Sequence, residues 1–301
     1  MKLSVLICTY NREKYVYNVL KSVAMNNYPK SDYELILVDN NCTDNTPAEC
    51  ERFANDFPEV NFRRVVETEQ GLSYARNRAI REASGDYLLY VDDDALVNDD
   101  YLQAYDDIFT SMPDAMGAGG QVQPLYETEE PSWMSYYTKV LTTTYKYEGD
   151  KIKEFKRGQF PSGCNMGFRK EVFEQIGDFN PELGRKGKNL IGAEEKDLYD
   201  RMRSHGMKSY YIPRAVLQHI IVPYRLTNEY FVNLTYSMGK SERNRTLSIS
   251  KGKFFKRLFM ECVKWGGTFV LCLGFLFKLQ PQKGYKLLQF RYNVTKGLLG
   301  F

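Results

Sequence analysis

The chain is short of the residues that staple small folds together. Its 301 residues include six cysteines, Cys8, Cys42, Cys50, Cys164, Cys262 and Cys272, and no Cys-x-x-Cys pair. Several of them fall in apolar stretches where a free thiol packs well, so reduced, cytosolic thiols are expected and a zinc site is not. Histidine is scarcer still, with two residues: His205 beside Gly206, which reads as surface, and His219 at the end of an apolar run. Long hydrophobic runs are missing as well. The largely apolar stretch 265–277 is 13 residues long between two lysines, shorter than the ~20 that span a bilayer. No signal peptide is expected, because the opening apolar run is short and Thr9-Tyr10-Asn11-Arg12 follows it directly.

What is present is ordinary globular material, 43% hydrophobic and 26% charged, enough for one α/β domain of about 220 to 240 residues plus a C-terminal appendage. The net charge of +3 conceals an asymmetry: residues 239–301 carry 13 Lys and Arg against Glu242 and Glu261, so the remainder is acidic. An acidic body with a basic, apolar tail suggests two surfaces with different partners. Nucleic acid is not among them, since the basic excess stays in the apolar tail and does not spread over a groove-sized face.

Along the chain, apolar runs alternate with helical periodicity. Residues 3–8 read as a strand, and Tyr15, Val19, Leu20 and Val23 recur at helical spacing. Glu34 to Asp39 is a second strand, followed by a polar turn that caps a helix reaching about Asp56. A third strand covers 60–66, a helix follows Gly71, and Tyr87 to Val91 is a fourth strand ending at Asp92-Asp93-Asp94. Such alternation predicts a mainly parallel sheet flanked by helices, with ligands bound outside the carboxyl ends of its strands. Those ends carry Thr9 to Arg12, Asp39 and the three aspartates. Turn chemistry explains Thr9 and Asn11 separately, and a helix cap explains Asp39; their coincidence on one rim favours a nucleotide-sized site.

Because side chains alternate along extended chain, Asp92 and Asp94 are expected to point together and Asp93 away from them. Two carboxylates that close repel unless one is protonated or a cation lies between. Mg²⁺ or Mn²⁺, which takes its remaining ligands from water and phosphate, fits that description; a solvated acidic turn is the alternative.

Val5-Leu6-Ile7-Cys8-Thr9-Tyr10-Asn11-Arg12, Leu37-Val38-Asp39-Asn40, Gly71 through Ala75-Arg76-Asn77, and Val91-Asp92-Asp93-Asp94, in this order, resemble glycosyltransferase family 2, the inverting nucleotide-sugar-dependent enzymes of GT-A fold. The resemblance implies that Thr9, Tyr10, Asn11 and Asp39 hold the nucleoside, with Arg12 among the substrate contacts, and that Arg76 and Asn77 lie near the ribose and diphosphate. Asp92 and Asp94 match the family's Asp-x-Asp element, with Asp93 among the substrate contacts. Ser162-Gly163-Cys164-Asn165 implies a strand placing Asn165 under the donor sugar. In Gly192-Ala193-Glu194-Glu195 the family's catalytic aspartate is replaced by Glu195, one methylene longer, with Glu194 as the fallback; an acidic first helical turn complementing the dipole is the plain alternative. His219 stands where the family completes a metal shell for Mn²⁺ or Mg²⁺ with Asp92 and Asp94.

The resemblance implies a GT-A domain over 1–238, with a nucleotide-binding half to about 115 and an acceptor half from about 116. The irregular aromatic segment 124–160, with Trp133, Tyr136, Tyr137, Tyr145 and Tyr147, reads as an acceptor-side lid or as loop packing. The tail 239–301 reads as basic amphipathic helices lying on the inner membrane face, or as a packed helical hairpin. The implied activity moves a sugar from a nucleotide-sugar, UDP-sugar above all, to a glycan or lipid-linked acceptor. A nucleotidyltransferase would need a glycine-bearing phosphate loop after the first strand, and Thr9-Tyr10-Asn11-Arg12 has none. A non-catalytic nucleotide- or glycan-binding membrane module is the remaining alternative.

Overall fold

The computed structural model describes residues 2–139, 149–187, 190 and 192–301; Tyr145 and Tyr147 lie outside them. The chain forms two compact units. One comprises Met1–Leu125, Thr144–Pro181 and Glu194–Ile220; the other comprises Tyr126–Thr143, Glu182–Ala193 and Ile221–Phe301.

The first unit begins β1 (Leu3–Thr9), α1 (Val16–Ala24), β2 (Tyr33–Asp39), α2 (Thr46–Asp56), β3 (Phe62–Val66), α3 (Leu72–Glu82), β4 (Tyr87–Asp92). It continues with β5 (Ala95–Val97), α4 (Tyr101–Ser111), β6 (Ala115–Tyr126), β7 (Lys153–Glu154), β8 (Asn165–Arg169), α5 (Glu171–Ile176), α6 (Glu194–Ser204) and β9 (Lys208–Ile221). Strands β3, β2, β1 and β4 pair in parallel, the block that the alternation predicts. Beyond β4 the order continues β8, β6, β9 and β5, with β7 also on β9; β8 runs antiparallel to both β4 and β6, and β5 and β7 run antiparallel to β9, so the whole is mixed. The three-residue β5 was too short to show a period of its own.

Period-two alternation distributes the core over both faces. Leu3, Val5 and Ile7 pack with Leu20 of α1, Phe53 of α2 and Phe109 of α4. Leu6, with Ile36 and Val38, packs on the other face against Ala79 of α3 and Leu198 of α6. Strands covered on both sides read as continuous apolar runs, which is why β1 and β2 were legible. One polar exception is paired: Glu34, buried within β2, accepts hydrogen bonds from the Ser4 hydroxyl at 2.6 Å, the Ser84 amide at 2.6 Å and Arg63 at 3.1 Å.

The second unit contains three long helices, α7 (Asn228–Ile249), α8 (Lys251–Phe277) and α9 (Pro281–Leu299). The expected boundary at 238/239 falls inside α7. A Cβ on Gly239 would stand 2.0 Å from the Val294 carbonyl oxygen, and one on Gly297 would stand 2.1 Å from that of Tyr236. Paired glycines thus let the backbones of α7 and α9 touch. Trp133 packs edge-on against Phe231 at 5.6 Å, with the Lys286 ammonium 5.0 Å from its ring centre. For Trp133 this is loop packing within the unit; Tyr136 and Tyr137 are exposed.

Candidate active site

The register of the parallel block aligns Thr9 with Asp39 and Cys8 with Asp92, bringing the ends of β1, β2 and β4 to one edge. The turn after β4 then enters β5, whose Ala95 pairs with His219 of β9. The Ile220 amide donates to the Asp94 carbonyl at 2.8 Å, fastening the turn to that strand. As a result Asp92, Asp94 and His219 each offer a ligand atom, all within 4.8 Å of one another. His219 Nε2 lies 3.1 Å from Asp94 Oδ1, and both residues are buried. Two carboxylates and an imidazole are oxygen and nitrogen donors of the kind that a divalent ion such as Mn²⁺ or Mg²⁺ accepts, so the donor set fits one.

Arg12 bridges the neighbouring acids. Its Nε donates to Asp93 at 3.1 Å and its Nη2 lies 3.8 Å from Asp94, so Asp93 and Asp94 share a cation although sequence alternation separated them. Burial pushes the Asp93 carboxyl up to about 6; Arg12 pulls it down, while Asp94 and Asp92 add to the rise. Asp93, against the opposing effect of burial, raises the pKa of Arg12 above its ordinary value.

Along the same edge, Asp39 is buried and accepts from the Cys42 amide at 2.8 Å and from Arg64 at 2.6 Å. Asn11 adopts the left-handed conformation at φ 55°, and its Oδ1 accepts from the Thr43 amide at 2.8 Å. Asparagine tolerates that backbone region by local hydrogen bonding. Thr9 is buried and Tyr10 exposed. Arg64 was not singled out in the sequence, because a basic residue in a strand carries no motif.

Three of the expected ligand contacts have partners within the protein. Arg76 is buried, donating to Glu194 at 3.0 Å and to Glu195 at 3.0 Å. Burial opposes its charge, but the two glutamates more than offset this and raise its pKa. Asn77 uses both ends of its amide on the backbone of Phe179, at 2.9 and 3.0 Å, which ties α3 to the segment after α5. Asn165 is fully buried; it accepts from the hydroxyls of Tyr101 and Tyr105 at 2.9 and 2.7 Å and donates to the carbonyls of Gln121 and Ala215. A polar residue in a strand is as useful for joining strands and helices as for touching a ligand.

Glu195 remains partly open while Glu194 is buried. Gly163 lies against this pair: a Cβ there would meet Glu195 Oε1 at 2.0 Å and Arg76 Nη2 at 2.9 Å. The sequence showed a glycine inside a polar turn but not what approaches it.

A mixed α/β sheet with an Asp-Asp-His cluster at a strand end, beside an arginine-held glutamate pair, defines the GT-A glycosyltransferase class of fold. A mannosyltransferase from Pyrobaculum calidifontis, solved with GDP-Man and Mn²⁺, superposes at a TM-score of 0.66 and 18% identity, covering 99% of this chain and 87% of that one. S. aureus TarS 1-349 with UDP-GlcNAc superposes at 0.54 and 18% identity, covering 99% and 91%. In sequence, a glucosyl-dolichyl phosphate glucuronosyltransferase of Haloferax volcanii is 27% identical over 268 residues, 87% of this chain and 82% of that protein. Against full-length TarS of Staphylococcus aureus the identity is 34% over 103 residues, 34% of this chain but 18% of that protein. The sequence model described as glycosyl transferase family 2 matches residues 4–177, more than half of the chain. The chain belongs to that family and is a glycosyltransferase.

Proposed function

We propose that the protein transfers a sugar, with inversion, from a nucleotide-sugar to a hydroxyl of a glycan or lipid-linked acceptor. The observation that carries this reading is the convergence of Asp92, Asp94 and His219 from two distant stretches within 4.8 Å of one another. UDP-sugar is the favoured donor because a structural relative is solved with UDP-GlcNAc, and the lipid-linked acceptor is favoured by the name of the Haloferax relative. Thr9, Tyr10, Asn11, Arg12 and Asp39 receive the nucleoside end of the donor, with Asp93 held in place by Arg12.

Asp92, Asp94 and His219 would hold Mn²⁺ or Mg²⁺, which when bound supplies positive charge to a departing diphosphate. Glu195 takes the proton from the acceptor hydroxyl as its oxygen bonds to the anomeric carbon, and the bond to the diphosphate oxygen breaks with its electron pair. Arg76 holds Glu195 and Glu194 in place from the protein side. The protein works on the cytoplasmic side, at the membrane where such acceptors lie.

Two substitutions test the assignment. Glu195→Gln is expected to keep Mn²⁺-dependent UDP binding by isothermal titration and to lose transfer. Asp94→Asn is expected to lose that binding. Full activity in either variant overturns the role given to it, and binding without transfer to any acceptor in the unsubstituted protein favours the non-catalytic module.

A further inference from the structure

Helix α8 presents an apolar stripe that no other described part of its unit covers. Phe255, Phe259, Val263, Val270, Leu273 and Phe277 recur at intervals of three, four or seven residues, and each is more than half exposed. That spacing places them on one face of a helix. The opposite face is held by α9: Arg291 donates to Glu261 at 2.8 Å, Trp265 to the Thr295 hydroxyl at 3.0 Å, and the Cys272 thiol to the Gly284 carbonyl at 3.3 Å.

Charge selects what meets the stripe. Glu261 is the one acid in α8, and it is buried against Arg257 and Arg291. The exposed charges of α8 and of the residue just after it are cations, including Lys256, Lys264 and Lys278. Each follows a stripe residue directly, one step of about 100° round the helix, so the lysines line an edge of the stripe. An apolar face edged by lysines and free of exposed carboxylates complements an apolar layer beneath anionic headgroups.

We infer that α8 docks in the plane of an anionic lipid bilayer, its stripe among the upper acyl chains and its lysines on the headgroups. The helix is long and apolar enough to cross a membrane by length and composition, but its contacts oppose that arrangement. A spanning α8 would strip Glu261 from Arg291, or would carry α9, with Lys283, Lys286, Arg291 and Lys296, into hydrocarbon. Charges there are costly. In-plane docking keeps every α8–α9 contact. The inference gives the proposed membrane-side location a surface and an orientation, and it does not depend on the assignment of Glu195 or the metal ligands.

The test is flotation of the full chain with vesicles of phosphatidylcholine alone, or of phosphatidylcholine and phosphatidylglycerol in equal parts. The expected result is binding to the mixed vesicles at least ten-fold above the neutral ones, falling as salt screens the lysines, and releasable by alkaline carbonate. The double variant Phe259→Asp, Val270→Asp should lose flotation while retaining its thermal midpoint and its nucleotide binding; both sites are exposed, so folding is spared. Four results overturn the inference: no preference for anionic vesicles, resistance to carbonate extraction, undiminished flotation of a folded double variant, or a lipid-free dimer in light scattering that the double variant abolishes. Because catalysis is not read, loss of the enzymatic assignment leaves this test intact.

Discussion

At the scale of single residues, the candidate base is set by its neighbours more than by its own type. Glu195 is the base that the family resemblance implies, and its side chain, one methylene longer than an aspartate, needs space. Gly163 provides it, with no side chain where a Cβ would lie 2.0 Å from the carboxylate oxygen. Gly163→Ala is therefore expected to push Glu195 off its Arg76 contact and lower kcat by roughly 10²-fold, the cost of an ångström-scale misplacement. Donor affinity, measured by isothermal titration, should stay within a few-fold. Asn165 makes the contrasting prediction. Its amide serves four partners, three of them in buried hydrogen bonds, and each orphaned buried one costs about 1–3 kcal/mol. Asn165→Leu should lower the thermal midpoint sharply, while nucleotide affinity of the folded fraction is retained. Unchanged stability with lost affinity would assign Asn165 to the donor pocket instead.

At the scale of elements, close contact does most of the work in the helical unit. Gly239 and Gly297 bring α7 and α9 together, and overpacking such a contact costs about 1–3 kcal/mol. Gly297→Ala should lower the calorimetric midpoint, and a silent substitution would mean that the helices separate at no cost. The α8–α9 seam adds a pH dependence. Burial raises the pKa of Glu261, but Arg291 and Arg257 outweigh it and lower it below the ordinary 4.5. The folded state thus favours the ionised form. The resulting stability is fully present above the ordinary glutamate value and is lost as pH falls through the lowered one. Hydrogen exchange in α8 should accelerate on acidification across that window, and Glu261→Gln should remove the dependence.

At the scale of the whole molecule, ligand linkage is the most direct check on the proposed chemistry. UDP with Mn²⁺ at about a hundred times its Kd should stabilise the fold by roughly 2.7 kcal/mol, visible as a higher thermal midpoint. Asp94→Asn should show no such shift. Equal stabilisation without the metal would separate nucleotide binding from the Asp-Asp-His cluster.

Strands β1, β2 and β4 were legible because strands covered on both faces are largely apolar, and the acids at the ends of β2 and β4 stand out against that background. The edge holding Thr9, Asp39 and Asp92 followed from strand direction alone. What sequence by itself determined is therefore what local periodicity and a run of like charges reveal: the α/β class, the carboxylate-bearing edge, the family, and a basic apolar tail. Tertiary structure alone decided which partners those residues meet. Arg76 reaches Glu194 across 118 positions, and Arg12 reaches Asp93 across 81. Asn77 and Asn165 spend their amides on backbone and tyrosines, and one side of α8 is covered by α9 while the other is left bare. No periodicity records such pairings, because side-chain identity sets what a group can bind and only the packed chain sets what lies within reach.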